Sequence, residues 1–385
     1  MTELLTKERV LEALKRIKDP DSRADIVAEG LVSEIVINKG KVYLAISVDP
    51  PRSREFEALR QSAEDAVKAL PGVDAVMVTL TADRAPGGAQ SGGNGSGDRP
   101  QGSFAQPGAA RDARHRPGGV PGVANIIAVA SGKGGVGKST TAVNLALALK
   151  EAGLKVGVLD ADIYGPSMPR LLGIKGQPQQ VGNKLAPMEA YGLKVMSMGF
   201  LVDEETPMIW RGPMVMSALS QMLKDVAWGE LDVLVVDMPP GTGDAQLTMA
   251  QQVPLAGAVI VSTPQDLALI DARKGLNMFR KVDVPVLGLV ENMSTFICPH
   301  CGERSDIFGH GGARNEAARL GVPFLGEVPL TLAIRATSDE GRPVVATDPA
   351  SPEAEAYRSI AARALGELER NQGAARAAPR IVMEN

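Results

Sequence analysis

The run IIAVASGKGGVGKSTT, from Ile126 to Thr141, decides the fold. Five apolar residues read as a strand, and the glycines that follow let the backbone curl so that successive N–H groups point at one anion. Gly132, four residues, Gly137, Lys138 and Ser139 complete the phosphate-loop pattern. The next helix begins inside the motif, so its positive end faces the same anion. In that geometry Lys138 reaches the outer phosphates of a nucleoside triphosphate and the Ser139 hydroxyl is a ligand of its magnesium ion. The nucleotide-contacting stretch is Gly132, Lys133, Gly134, Gly135, Val136, Gly137, Lys138, Ser139 and Thr140.

Outward from the loop, apolar β runs alternate with helical stretches, the pattern of an α/β domain with a mostly parallel sheet covered on both faces. Strands are expected at 126–130, 156–160, 195–198, 233–237, 258–262 and 286–291, with a short one near 324–328. Helices are expected after the loop and through 213–226, 267–281, 313–320 and 352–368. This P-loop domain spans 123–370, and 371–385 reads as a disordered tail. Ligands bind at the carboxyl ends of such strands, which is where every motif below falls.

Residues 1–82 read as a small α+β domain. Val10, Leu14 and Ile17 share a helical face, two strands meet across Asn38-Lys39-Gly40, and Phe56, Leu59, Ala63, Ala66 and Leu70 recur at helical spacing. Ala75 to Leu80 is a last β-rich run. Between the domains, 83–122 is rich in Gly, Pro, Ser, Gln and Arg and too poor in apolar side chains to offset its ordering entropy, so it reads as a flexible linker. His115 sits there between Arg114 and Arg116 as a solvated side chain.

Bulk composition limits the partners. A net charge of −4 gives no general attraction to nucleic acid or anionic lipid. No apolar run approaches the length that spans a bilayer, and MTELLTKERV lacks the apolar core of a secretory signal, so a cytoplasmic protein with no membrane partner is expected. The chain has two cysteines, Cys298 and Cys301, in a single C-x-x-C, which excludes a disulfide scaffold.

That pair is the sharpest feature after the loop. Two thiolates leave a tetrahedral centre half filled. A symmetric dimer would bring two pairs together, giving four-cysteine ligation suited to a [4Fe–4S] cluster or to zinc. A redox dithiol and a fortuitous structural pair are the alternatives. His300 and His310 read as loop residues rather than ligands.

Three further motifs flank the loop. Leu234-Val235-Val236-Asp237 is a Walker B pattern whose aspartate binds magnesium through water. After it, Met238-Pro239-Pro240-Gly241-Thr242-Gly243-Asp244 has glycines that let backbone N–H groups approach a γ-phosphate and later release it. Asp160-Ala161-Asp162 ends the second strand, where a carboxylate can orient water or hold the magnesium shell. Asn292 follows the strand 286–291, and its amide offers the donor and acceptor that an adenine edge needs.

With GKGGVGKST complete, the loop resembles the deviant Walker A family, which includes the MinD and ParA ATPases, the nitrogenase iron protein and the Mrp/ApbC iron-sulfur carriers. From 124 to about 368, DADIYGPS, DMPPGTGD, ENM and CPHCG in order make the chain similar to the Mrp/ApbC carriers in particular. The stretches DIVAEGLV and GVDAVMVTL resemble the small domain of iron-sulfur assembly factors. That domain usually has a cysteine where this chain has Asp49-Pro50-Pro51-Arg52, which favours a docking or regulatory role over a cluster or thiol role. The resemblance implies an ATPase whose homodimer forms around ATP, with Lys133 reaching the partner's nucleotide. It also implies Asp162 positioning the attacking water with Asp160 in support, DMPPGTGD as switch II, and Asn292 on adenine. Lys133, Lys138, Asp162 and Asp237 are then the catalytic set, and Cys298 and Cys301 hold a labile [4Fe–4S] cluster bridging two subunits. The cluster would come from iron-sulfur scaffold proteins and pass to recipient apoproteins. A MinD- or ParA-like positioning ATPase, a zinc-bridged dimeric scaffold and an electron-transfer protein are the rival readings.

Overall fold

The computed structural model describes residues 5–19, 24–32, 35–38, 40–47, 56–73, 75–81, 119–202 and 212–376. They divide between two compact units, Met1–Arg116 and Pro117–Asn385. Asp49 to Arg52, His115 and linker residues 83–118 lie outside the described residues. The end of the expected linker does not: Val120 is buried and its carbonyl accepts from Val123 N–H, so 119–122 belong to the second unit.

In the first unit α1 (Lys7–Leu14), β1 (Val36–Asn38), β2 (Lys41–Ser47), α2 (Phe56–Lys68) and β3 (Ala75–Thr81) follow one another. The hairpin β1–β2 is antiparallel, with Asn38 opposite Lys41, whereas β3 joins β2 in parallel. One face of that sheet and the apolar stripes of both helices enclose Val10, Leu14, Leu44, Ile46, Phe56, Ala63, Val67 and Val78. Ile17 lies beyond the end of α1 and still packs on this core.

The second unit begins with β4 (Val123–Ser131), the phosphate loop and α3 (Lys138–Glu151). Then come β5 (Val156–Asp160), α4 (Met168–Leu171), the short strands β6 (Gln180–Val181), β7 (Lys184–Leu185) and β8 (Met188–Ala190), β9 (Leu193–Ser197) and α5 (Gly212–Lys224). The chain continues through β10 (Leu231–Asp237), α6 (Asp244–Gln252), β11 (Gly257–Ser262), α7 (Asp266–Lys281), β12 (Val286–Ile297) and β13 (Arg304–Ser305). It closes with α8 (Gly312–Leu320), β14 (Phe324–Leu330), α9 (Leu332–Asp339), α10 (Val344–Thr347) and α11 (Pro352–Arg376).

The nine strands of the main sheet run β13-β12-β11-β4-β10-β5-β9-β8, with β14 on β12. Pairs within the run β12 to β9 are parallel, as is β14 on β12, while β13 and β8 at the ends of the run are antiparallel. β4, β10 and β11 lie at the centre, which is why their apolar runs are continuous rather than alternating. Helix α3 is buried nearly all round, from Thr141 to Leu149, because α11 covers its outer side. Tyr357, Ile360, Ala361, Ala364 and Leu368 supply the packing stripe of α11.

Two boundaries and three short strands differ from the sequence expectation. Periodicity ends α11 at Leu368, yet the helix continues to Arg376, so 371–376 are not tail; Gln372 Nε2 donates to Asn125 Oδ1 at 2.5 Å. The apolar run ends β12 at Glu291, yet the strand continues to Ile297 because β14 on one side and β13 beyond supply partners for its polar residues. The separate hairpin β6–β7 and the edge strand β8 carry no apolar pattern and have no counterpart in the expectation.

Candidate functional site

The phosphate loop leaves β4 at the centre of the sheet and enters α3 through Gly137, whose φ of 79° is the left-handed conformation that glycine adopts without strain. Space imposes the same residue: a Cβ at Gly137 would fall 2.1 Å from Asn292 Nδ2. Lys138 is buried, and its Nζ lies 2.5 Å from Asp237 Oδ1 and 3.2 Å from Ser139 Oγ. Burial pushes the Asp237 carboxyl up, while Lys138 and, less strongly, the Ser139 hydroxyl pull it back. Asp237 Oδ2 is buried with no hydrogen-bond partner among the described residues. Thus Lys138 and Ser139 of the phosphate loop and Asp237 of the Walker B pattern converge on one point at the carboxyl end of β10.

The backbone after Asp237 is pinned to the loop strand. Met238 N–H donates to Val129 O at 3.0 Å and Gly241 N–H to Ser131 O at 3.1 Å. Gln246 of α6, buried, donates its amide to Pro239 O. Any movement of this segment therefore pulls on both β4 and α6. Gln246 was not singled out in the sequence, because a glutamine in a helix carries no chemical signature until its carbonyl partner is known.

Asp160 and Asp162 part company. Asp160 is fully buried and its carboxylate accepts from Asp162 N, Ser167 N, Met168 N and Ser197 Oγ at 2.9–3.2 Å. Burial, and then the charge of Asp237, push its pKa up to about 7. It is an internal brace for the loop leading into α4. Asp162 is half-buried, accepts from Gly165 N–H at 3.3 Å and from the Tyr164 backbone, and has its pKa raised by burial against the opposing pull of Lys138. Of the two, it is the more exposed carboxylate.

Asn292 lies on β12 against the loop, and its Nδ2 donates to Val136 O at 2.8 Å. One donor of the amide expected at an adenine edge is therefore committed to holding the loop. Lys133 is half-buried; its backbone carbonyl accepts from Ser131 Oγ at 2.9 Å, and its ammonium has no ion pair among the described residues.

The cysteine pair sits at the tip of the same strand. Ile297 of β12 pairs with Arg304 of β13, and the turn between them is closed by Cys298 N–H to Glu303 O and Gly302 N–H to Cys298 O, both 2.9 Å. The backbone N–H groups of Cys301 and then His300 point at the Cys298 sulfur and lower its pKa, with a smaller contribution from the Cys301 thiol. Amide donors aimed at a sulfur stabilise a thiolate, which is the metal-binding form. Both thiols are free and reachable, Cys301 the more exposed. Ile297, which precedes Cys298, and Ile307, in the segment after the turn, are large apolar side chains more than half exposed.

Comparison with known proteins bears on this arrangement. The family model described as NUBPL iron-transfer P-loop NTPase matches residues 122–365. A second, described as iron-sulfur cluster assembly protein, matches residues 7–80. The iron-sulfur cluster carrier protein of Synechocystis is 44% identical over 371 residues, covering 95% of this chain and 98% of its own. The iron-sulfur cluster transfer protein NUBPL of Dictyostelium discoideum is 57% identical over 253 residues, 65% of this chain and 78% of its own. Among solved structures, a nucleotide-binding protein from Archaeoglobus fulgidus in complex with ADP is similar, with TM-score 0.54 and 42% identity over 60% of this chain and 91% of its own. No helix among the described residues is long and apolar enough to cross a membrane.

Proposed function

Because the chain belongs to the NUBPL iron-transfer P-loop NTPase family, we propose that it is an ATP-hydrolysing carrier of iron-sulfur clusters, in which Cys298 and Cys301 of two copies jointly hold a [4Fe–4S] cluster destined for apoproteins. The observation that carries this reading is the course of β12. One strand holds the phosphate loop through Asn292 and ends in the turn that presents Cys298 and Cys301. A displacement at the nucleotide is therefore delivered along a rigid element to the thiolates.

The chemistry of each end is legible in the residues. Two thiolates per chain cannot complete a four-cysteine set, and the exposed tip of β12 leaves room for a second copy's pair. A cluster held at such a tip is open to solvent, which suits cargo more than a resident centre. At the other end Asp237 Oδ2, buried without a partner beside Ser139, fits a magnesium ion, so Ser139 and Asp237 are the residues to hold it. Magnesium there neutralises charge on the β- and γ-phosphate oxygens. Lys138 exchanges Asp237 for phosphate, Lys133 extends to the partner's nucleotide, and Asp162 orients the attacking water. The segment 238–243, pinned to β4 and α6, responds to the γ-phosphate.

Anaerobic reconstitution tests the reading. With iron and sulfide supplied, the full chain should become brown and contain about four iron atoms per two chains, with light scattering giving a dimer. Cys298→Ala and Cys301→Ala should each lose the cluster and retain nucleotide binding. A colourless zinc-filled dimer, or a cluster retained in either variant, would refute it.

A further inference from the structure

A second group of metal-ligating side chains lies outside both the thiolate pair and the magnesium residues. Glu291 on β12 and Glu327 on β14 are direct neighbours across parallel strands. Like charges opposite one another on adjacent strands repel, and Glu291 is wholly buried. Backbone donors offset part of this: Gly311 N–H and Ala313 N–H reach Glu291 Oε1 and Oε2 at 2.8 and 2.7 Å. Glu327 has no such relief. Its Oε2 is buried with no hydrogen-bond partner among the described residues, where the guanidinium of Arg314 is 4.0 Å away.

His310 completes the arrangement. Its Nδ1 stands 3.8 Å from Glu291 Oε1 and 3.7 Å from Glu327 Oε2, too far to hydrogen-bond either. All three donor atoms lie within 4.8 Å of one another. Two donors bound to one ion at 2.0–2.2 Å stand about 3.3 Å apart at a tetrahedral angle, so small side-chain rotations bring all three onto a common centre. Each oxygen of Glu291 still has a lone pair after its backbone contact.

From this geometry we propose that Glu291, His310 and Glu327 bind a divalent transition-metal ion, distinct from the cysteine-held cargo and from the nucleotide's magnesium. One imidazole with two carboxylates is a borderline donor set, suited to zinc and its neighbours rather than to a soft iron-sulfur cluster. The ion replaces the missing partner of Glu327 and relieves the cross-strand repulsion. Its position has a consequence for the proposed carrier: Glu291 precedes Asn292, which holds the phosphate loop, and His310 lies in the segment following the cysteine hairpin. A bound ion fastens that segment to the strand beside the nucleotide.

The test separates this site from the thiolates. Tag-free full-length chain carrying Cys298→Ser and Cys301→Ser, stripped with chelator and kept free of nucleotide, is titrated calorimetrically with Zn²⁺ and assayed for bound metal after gel filtration. One zinc per chain is expected, weakened more than about tenfold by His310→Ala and by Glu327→Gln, with circular dichroism unchanged in both. Failure of the cysteine-free chain to retain zinc, or zinc affinity unaltered by both substitutions, overturns the proposal.

Discussion

Lys138 Nζ and Asp237 Oδ1 are 2.5 Å apart in a site closed to water, so the phosphate-loop lysine is paired with the aspartate that ends β10. Removing one partner of such a pair leaves an uncompensated buried charge, a larger loss than removing both. Lys138→Ala should abolish ATP hydrolysis and destabilise the nucleotide-free chain by ~3–5 kcal/mol. Adding Asp237→Asn should restore part of that stability with no return of activity. Urea unfolding of the single and double variants measures both effects, and a double variant no more stable than Lys138→Ala would contradict the pairing.

Gly132 and Gly137 are closed to side chains by different neighbours, and the difference is measurable. A Cβ at Gly137 meets the amide end of Asn292, whereas one at Gly132 falls 2.1 Å from the backbone carbon of Asp271. Gly137→Ala and Gly132→Ala should both lose nucleotide binding. Asn292→Ala should return part of it to Gly137→Ala, with residual strain of about 1–2 kcal/mol from its positive φ, and none to Gly132→Ala. Calorimetric titration with ADP distinguishes the two; equal rescue would show that the clash at Gly137 is not with Asn292.

Those glycines also show how much was legible beforehand. The loop pattern, the central strands and the order of motifs follow from apolar runs and from residue types that one chemistry demands, so the P-loop fold, the Lys138–Ser139–Asp237 centre and the cysteine hairpin's place after Asn292 could be read directly. What could not be read depends on neighbours remote in sequence. β12 passes through Asn292 and Ser294, polar residues that look like a loop until β14 is beside them. Asp160 and Asp162 have the same chemistry and sit two residues apart, and Ser197, on a different strand, is part of what makes Asp160 a brace. Glu291 ends an apolar run and reads as a strand terminus, although it anchors the start of α8.

Asp162 is the carboxylate to which the proposed function gives the attacking water. Its backbone contacts, with Gly165 N–H and Tyr164, shape the local turn without burying the group completely. Asp162→Ala should lower kcat by about 10²–10⁴-fold, the usual contribution of a group that positions or deprotonates the nucleophile, and leave the Kd for ATP within a few-fold. Single-turnover hydrolysis with separately measured binding checks the split, and a loss confined to binding would move the role elsewhere.

Asp160 gives a pH signature of opposite sign to that of ordinary salt-bridged carboxylates. Burial and the adjacent Asp237 raise it from 3.8 to about 7 in the folded chain, while in the unfolded chain it titrates near 3.8. Between those values the folded state holds a proton that the unfolded state has released. Its contribution to stability is thus fully present below about 4 and is lost as pH rises towards about 7. Asp160→Asn cannot titrate, and it turns an amide towards the N–H groups of Ser167 and Met168, so it should be less stable throughout but lack this slope. Urea midpoints of both proteins across that range, without nucleotide, decide the matter; parallel slopes would mean that Asp160 titrates normally.

The cysteine turn makes a prediction that needs no cluster. The N–H groups of Cys301 and His300 hold the Cys298 thiol below the ordinary thiol range, and they are aimed by a turn that Gly302 closes at φ 72°. A Cβ on Gly302 would meet nothing within 4 Å, so Gly302→Ala tests the backbone conformation alone. It should strain the turn by about 1–2 kcal/mol and turn the donors away from sulfur. Because thiolate, not thiol, reacts with iodoacetamide, the alkylation rate of Cys298 in the cluster-free chain should level off at lower pH than a free thiol's. Gly302→Ala should shift that profile upward and slow cluster loading, leaving ADP affinity unchanged. Site-resolved mass spectrometry under anaerobic conditions follows the two cysteines separately. If Cys298 titrated like a free thiol in the parent chain, the turn would be a mere connection between β12 and β13, and preorganisation of the thiolates for cargo would have to be abandoned.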